Sequence, residues 1–176
     1  MKFYPDSTKS LKKTFEKVMD RYFKEAHLDL AKIQYVFWEG EKTTGDGRVV
    51  HGETRIPSAR ERDIYGYDFI ISISGDYWED EASTADKIRL TYHELKHCKI
   101  ECTKSTKGKI IPKRDKEGRL KVRIRPHDVN LNLFLSEVEV VGLSGGEYKY
   151  IEDLHMISKS NNGRRKKVKK VKKRRK

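Results

Sequence analysis

The sequence predicts an α+β fold, a single domain in which a small mixed or antiparallel sheet packs against helices. Three observations predict it. The chain has 176 residues, the length of one ordinary domain. Two stretches, from about Ser7 to Leu28 and from about Thr84 to Glu101, carry apolar residues at three- and four-residue spacing. Around them lie short β-branched and aromatic runs bounded by glycine, proline and other turn-forming residues.

In the first stretch Leu11, Phe15, Val18, Met19, Tyr22, Phe23 and Ala26 form one stripe, with Asp6 or Ser7 placed to cap an amphipathic helix. Gln34 to Trp38 and Val49 to Ile56 then flank the turn-prone Thr44-Gly45-Asp46-Gly47, which predicts a hairpin closed by Pro57. A charged loop follows. Tyr67 to Ser74 reads as a strand with Phe69, Ile71 and Ile73 on one face, ended by Gly75. The second helix is capped by Ser83 or Thr84, with Asp86 near its positive end and Ala85, Ile88, Tyr92 and Leu95 as its stripe. Residues 103–125 return to β: Gly118 turns the chain, and Leu120, Val122 and Ile124 alternate with Lys121, Arg123 and Arg125. From Val129 to Val141 the apolar residues fit a helix stopped by Gly142 and a strand equally well, so periodicity alone leaves both open.

Composition excludes several classes. Hydrophobic residues make up 35% and charged residues 38%, a lean core for this length. No run of 18 apolar residues is present, which rules out a membrane-spanning helix. The opening MKFYPDSTKSLKK lacks the apolar stretch of a secretory leader, so a cytoplasmic protein is expected. Two cysteines, Cys98 and Cys102, are too few for a disulfide scaffold or a four-cysteine zinc site. They stand four apart on the predicted second helix, away from its histidine face, and read as packing thiols.

The net charge of +13 is concentrated at one end. Of residues 164–176, 11 are Lys or Arg, so the 40 basic residues fall to 29 against 27 acidic ones in the remainder. Such a block repels itself and buries nothing. Residues 161–176 are therefore expected to be a disordered basic tail behind a domain spanning 1–160, with nucleic-acid phosphates as a possible partner.

The chemistry lies in His93-Glu94-Leu95-Lys96-His97, an H-E-x-x-H on the second helix. Four residues advance the helix by about 6 Å and little more than one turn, so both imidazoles share a face. That spacing lets them bind one zinc ion. Glu94 lies about 100° round the helix, placed to act as catalytic base on water acidified by the metal. A third ligand is required. Glu101 lies about 12 Å along the same predicted helix from His93 and is too far. A continuing H-x-x-G-x-x-H is absent, since Ile100 and Thr103 occupy its positions. His127 is best placed, at a junction between Pro126 and Asp128, where Asp128 can cap a following helix or orient a ligand. Glu137, Glu139 and His155 remain alternatives. His27 and His51 have no partner at ligand spacing and read as surface or core residues.

Together, YDFIISIS, the helix with TYHELKHC, a hairpin and RPHDVNLNLF resemble the phage metallopeptidase family, which is similar in turn to SprT-like, minigluzincin-type zinc proteases. The resemblance covers roughly Leu11 to Gly142 and is most specific at HELKH and PHDV. It implies a zincin-like fold, zinc on His93, His97 and His127, Glu94 as general base, and a helix after His127. It also implies that the strand Tyr67 to Ser74 lines the cleft and pairs with an extended peptide or protein substrate. Tyr65, Tyr67 and Tyr92 are candidates to assist the oxyanion. The function expected is zinc-dependent peptide hydrolysis, with nucleic-acid-associated proteins as the candidate substrate class. The competing reading is a nucleic-acid-binding accessory protein with a structural or vestigial zinc site.

Overall fold

The computed structural model describes residues 2–45 and 47–127, the side chain of Glu25 excepted. The segment from Asp128 on, with the predicted helix or strand at 129–141, the alternatives Glu137, Glu139 and His155, and the tail 161–176, lies outside the described residues.

In chain order the elements are β1 (Lys2–Pro5), α1 (Ser10–Tyr22), β2 (Ile33–Glu39), β3 (Gly52–Arg55), α2 (Ala59–Tyr65), β4 (Phe69–Ser74), α3 (Thr84–His97), β5 (Cys98–Ile100), β6 (Cys102–Lys104), β7 (Ile110–Pro112) and β8 (Val122–Ile124). One four-stranded mixed sheet, ordered β1-β2-β4-β3, carries the helices, and two small antiparallel pairs, β5-β8 and β6-β7, follow α3. This is the α+β architecture expected. No helix among the described residues is long and apolar enough to cross a membrane.

The core forms where one face of the sheet meets α1 and α3. Phe69, Ile71 and Ile73, alternate residues of β4, are all fully buried there, as their spacing predicts. Each such side chain contributes roughly 1.5–3 kcal/mol, so this strand alone outweighs any single helix cap. From α1 come Leu11, Phe15 and Val18; from α3 come Tyr92 and Leu95. Phe15 meets the Tyr35 ring at 4.8 Å, and Tyr4 of β1 stacks on Phe37 at 5.5 Å. Helix α1 stops at Tyr22, short of the predicted Leu28: Phe23 leaves helical geometry at φ −122°, and the chain continues as two single 3₁₀ turns on either side of His27, at φ 56°. Asp6 serves its N-terminus as expected, accepting from the backbone N–H of Ser10 and of Lys12.

The predicted hairpin is corrected. Its tip is as expected: Thr43 bridges Val49, and the Val50 N–H donates to the Lys42 carbonyl at 2.8 Å. Beyond the tip β2 and β3 part, and β4 lies between them, parallel to β2 and antiparallel to β3. The reason is burial. Five of the six residues of β4 are buried, Ser72 and Ser74 among them, and a strand so enclosed needs a partner on both edges for its backbone groups. A substrate therefore cannot pair with β4, contrary to expectation; the edge strand on that side of the sheet is β3.

The charged loop after Pro57 contains a helix, α2. Ser58 and Glu61 form a reciprocal capping box, and Gly66 ends it at φ 70°. Arg62 of α2 pairs with Asp68 at 2.7 Å and donates to the Leu120 carbonyl at 2.9 Å, while Asp68 accepts from the Lys32 N–H. These contacts hold α2 to the start of β4 and to the later hairpin region.

Candidate metal centre

Helix α3 begins where the sequence places it. The Ser83 hydroxyl accepts from the Asp86 N–H, and Asp86 reaches back to Ser83, a cap of about 1 kcal/mol. The Ser83 hydroxyl, then backbone contact and Arg89, hold the Asp86 carboxyl below its ordinary range despite the opposing cost of burial. The helix ends at His97, not Glu101. Cys98 is extended, and the chain runs straight into β5. Cys98 and Cys102 are thus on separate strands, β5 and β6, rather than one helix face. Both are free thiols, and burial, with Glu94 nearby, pushes the Cys98 thiol well up, which suits a packing role. Lys96 lies over the rings of Tyr92 and Phe23 at 5.3 and 5.4 Å, its stem covering the aromatic layer between α1 and α3.

The abrupt change from helix to strand assembles the site. β5 pairs antiparallel with β8 in the register Cys98↔Ile124, so the residues after Ile124 run back alongside the last turn of α3. The Arg125 N–H donates to the His97 carbonyl at 2.8 Å, and two residues on, His127 arrives at His93. His127 Nε2 and His93 Nε2 are 3.0 Å apart, and the His97 ring centroid lies 5.1 Å from that of His93 and 4.5 Å from that of His127. One nitrogen from each of the three falls within 4.8 Å of the others. Two ligands at 2.0–2.1 Å on a tetrahedral ion would stand about 3.3 Å apart, close to the His93–His127 separation. The donor set fits a metal.

The protonation of His97 fits as well. Its Nδ1 is 2.8 Å from the Arg125 carbonyl oxygen, which only accepts, so Nδ1 carries the hydrogen and Nε2 keeps its lone pair. Burial lowers the pKa of His97 and outweighs the raising effect of that hydrogen bond, while His93 lowers it further. A lowered pKa favours the neutral ring that metal ligation requires.

Glu94 is buried, with 2% exposure. Its Oε2 accepts from Thr54 Oγ1 of β3 at 2.7 Å, and its carboxylate lies against Gly52 of the same strand. Neither residue was found from the sequence. The available signal was weak: Gly52 and Thr54 are two apart, hence on one face of a strand, and a glycine inside a strand marks close approach of another group. Nothing in the sequence says that the approaching group is Glu94.

The remaining candidates lie elsewhere. His27 sits between the 3₁₀ turns, and His51 stacks on Tyr77 at 3.8 Å. Tyr92 is buried among Phe23 and Tyr22, which removes it as an oxyanion group. Tyr65 is exposed, and Tyr67 lines a separate cavity with Lys32, Arg62 and Arg119.

A family model described as Putative phage metallopeptidase matches residues 3–170, nearly the whole chain. The chain belongs to this family. Membership makes it a metallopeptidase, a hydrolase whose substrate is a peptide or protein, and the three-histidine group is compatible with the metal this chemistry requires. The match runs past the resemblance seen at residues 11–142 and takes in ten of the sixteen residues of segment 161–176. No curated protein and no solved structure matches the chain.

Proposed function

We propose that the chain is a zinc-dependent peptidase in which His93, His97 and His127 hold the ion and Glu94 is the general base. What carries this reading is the convergence of three imidazoles, two from the H-E-x-x-H and one from 30 residues further on, within 4.8 Å. Three neutral imidazoles with an open position suit zinc better than harder divalent ions. Bound there, zinc supplies Lewis acidity, polarising the scissile carbonyl and acidifying water toward neutral pH. Glu94 takes a proton from the attacking water and delivers it to the departing amine. The substrate backbone lies along the edge strand β3, whose Gly52 stands beside the Glu94 carboxylate and presents no side chain. Purified protein is expected to carry about one zinc per chain by elemental analysis and to cleave a pool of quenched fluorescent peptides. Chelation should end cleavage and zinc restore it; protein that holds no zinc after reconstitution would sink this reading.

The reading extends to nucleic-acid-associated protein substrates. The support is the 11 basic residues of segment 164–176, which contains no acidic residue. Contacts of this kind release counterions and weaken steeply with salt. Removing residues 164–176 should lower affinity for a double-stranded oligonucleotide at least about tenfold at low salt and flatten its salt dependence. Unchanged affinity would detach this substrate class from the tail.

A further inference from the structure

The Glu94 carboxylate is gripped from a strand 40 residues away in sequence. The Thr54 hydroxyl is 2.7 Å from Oε2 and 3.2 Å from the Glu94 carbonyl oxygen. It has one hydrogen, and the shorter contact claims it. The other carboxylate oxygen occupies space that most residues would fill. A Cβ on Gly52 would stand 2.5 Å from Oε1, 2.9 Å from Cδ and 2.9 Å from Leu90 Cδ1. Gly52 and Thr54 pair with Ile73 and Ile71, which places both on the sheet face turned toward α3.

We propose that Thr54 and Gly52 are positioning residues for the general base, a proposal that rests on the role given to Glu94 above. Thr54 fixes one carboxylate oxygen. Gly52 leaves the gap that the other needs. A glutamate has three side-chain torsions to restrain, and a base displaced by about 1 Å loses on the order of 10²-fold in rate. Burial strengthens the hydrogen bond, because Glu94 at 2% exposure is shielded from bulk water. The arrangement sets the base before substrate arrives, so loss of the Thr54 hydroxyl falls on kcat, while the β3 backbone along which the substrate lies is unchanged.

The test uses the full chain loaded with zinc and the same peptide pool. Thr54→Val keeps the shape and removes the hydroxyl; kcat should fall about 10–100-fold at unchanged KM and unchanged zinc content. Thr54→Ser restores the hydroxyl and should return kcat to within about threefold of wild type. Gly52→Ala, which keeps the hydroxyl and fills the gap, should also lower kcat. A threonine that merely supports the strand would lower Tm while leaving kcat intact. Wild-type kcat in Thr54→Val overturns the proposal. A thermal-unfolding cycle of Thr54→Val, Glu94→Ala and the double variant reads the contact without activity. In the Glu94→Ala background the Thr54→Val shift in Tm should shrink to less than about half; additive shifts overturn the contact. Wild-type protein that cleaves nothing would defeat the proposed function at its own test. Coupling found in such a protein would then overturn the positioning role, there being no reaction for it to serve.

Discussion

Glu94→Gln should lose peptide hydrolysis by about 10³-fold or more while keeping its metal, since a positioned general base contributes about 10²–10⁴-fold. The substitution is nearly isosteric, and the amide oxygen can still accept from the Thr54 hydroxyl now 2.7 Å from Oε2. What disappears is the capacity to take a proton. Stability should hold or rise, because a side chain with 2% exposure no longer carries a charge into the interior. Lost turnover, unchanged zinc and unchanged or higher Tm would together identify Glu94 as the base. Retained turnover would remove it from the reaction, and loss of zinc would make it part of the metal shell instead. An accessory protein with a structural zinc site predicts no change in any function from this substitution.

His127→Ala should abolish tight zinc binding without unfolding the chain. Removing a group that merely orients a ligand costs about 10–100-fold in metal affinity, and removing one ligand of three should exceed that. The ring is only partly buried, so the metal-free fold should survive its loss. The clean readout is ligand-linked stability. Zinc should raise the Tm of wild type, since an ion that binds only the folded state stabilises it by mass action, and should leave the variant nearly unmoved. His97→Ala should lose zinc and also destabilise the metal-free protein, by about 0.5–1.5 kcal/mol, because His97 also donates to the Arg125 carbonyl. One zinc per chain retained by His127→Ala would place the third ligand elsewhere.

Much of the site was legible because it is local. The four-residue spacing of His93 and His97 puts two imidazoles on one helix face whatever surrounds them, and Ser83 with Asp86 marks where that helix starts. The buried face of β4 followed from alternation, and the fold class from the order of periodic segments. The helix α2 was legible too, in the Ser58–Glu61 box and Gly66, but its exposed, charged surface lacks the apolar stripe by which helices are usually recognised.

What the tertiary structure decided is pairing. Sequence neighbours Gln34–Trp38 and Val49–Ile56 pair at the tip of their turn and then separate, because β4 is buried on both faces and takes both as partners. The helix bearing His93 and His97 ends four residues early, because the stretch from Cys98 to Ile100 has a strand partner in Val122–Ile124. That pairing, and no local spacing, returns Arg125 to His97 and His127 to His93. In the same way Gly52 and Thr54 meet the Glu94 carboxylate only because the edge strand crosses it. A side chain's type and helical phase are written in a few adjacent residues, whereas which distant backbone will lie beside it depends on how all the buried surfaces are satisfied at once.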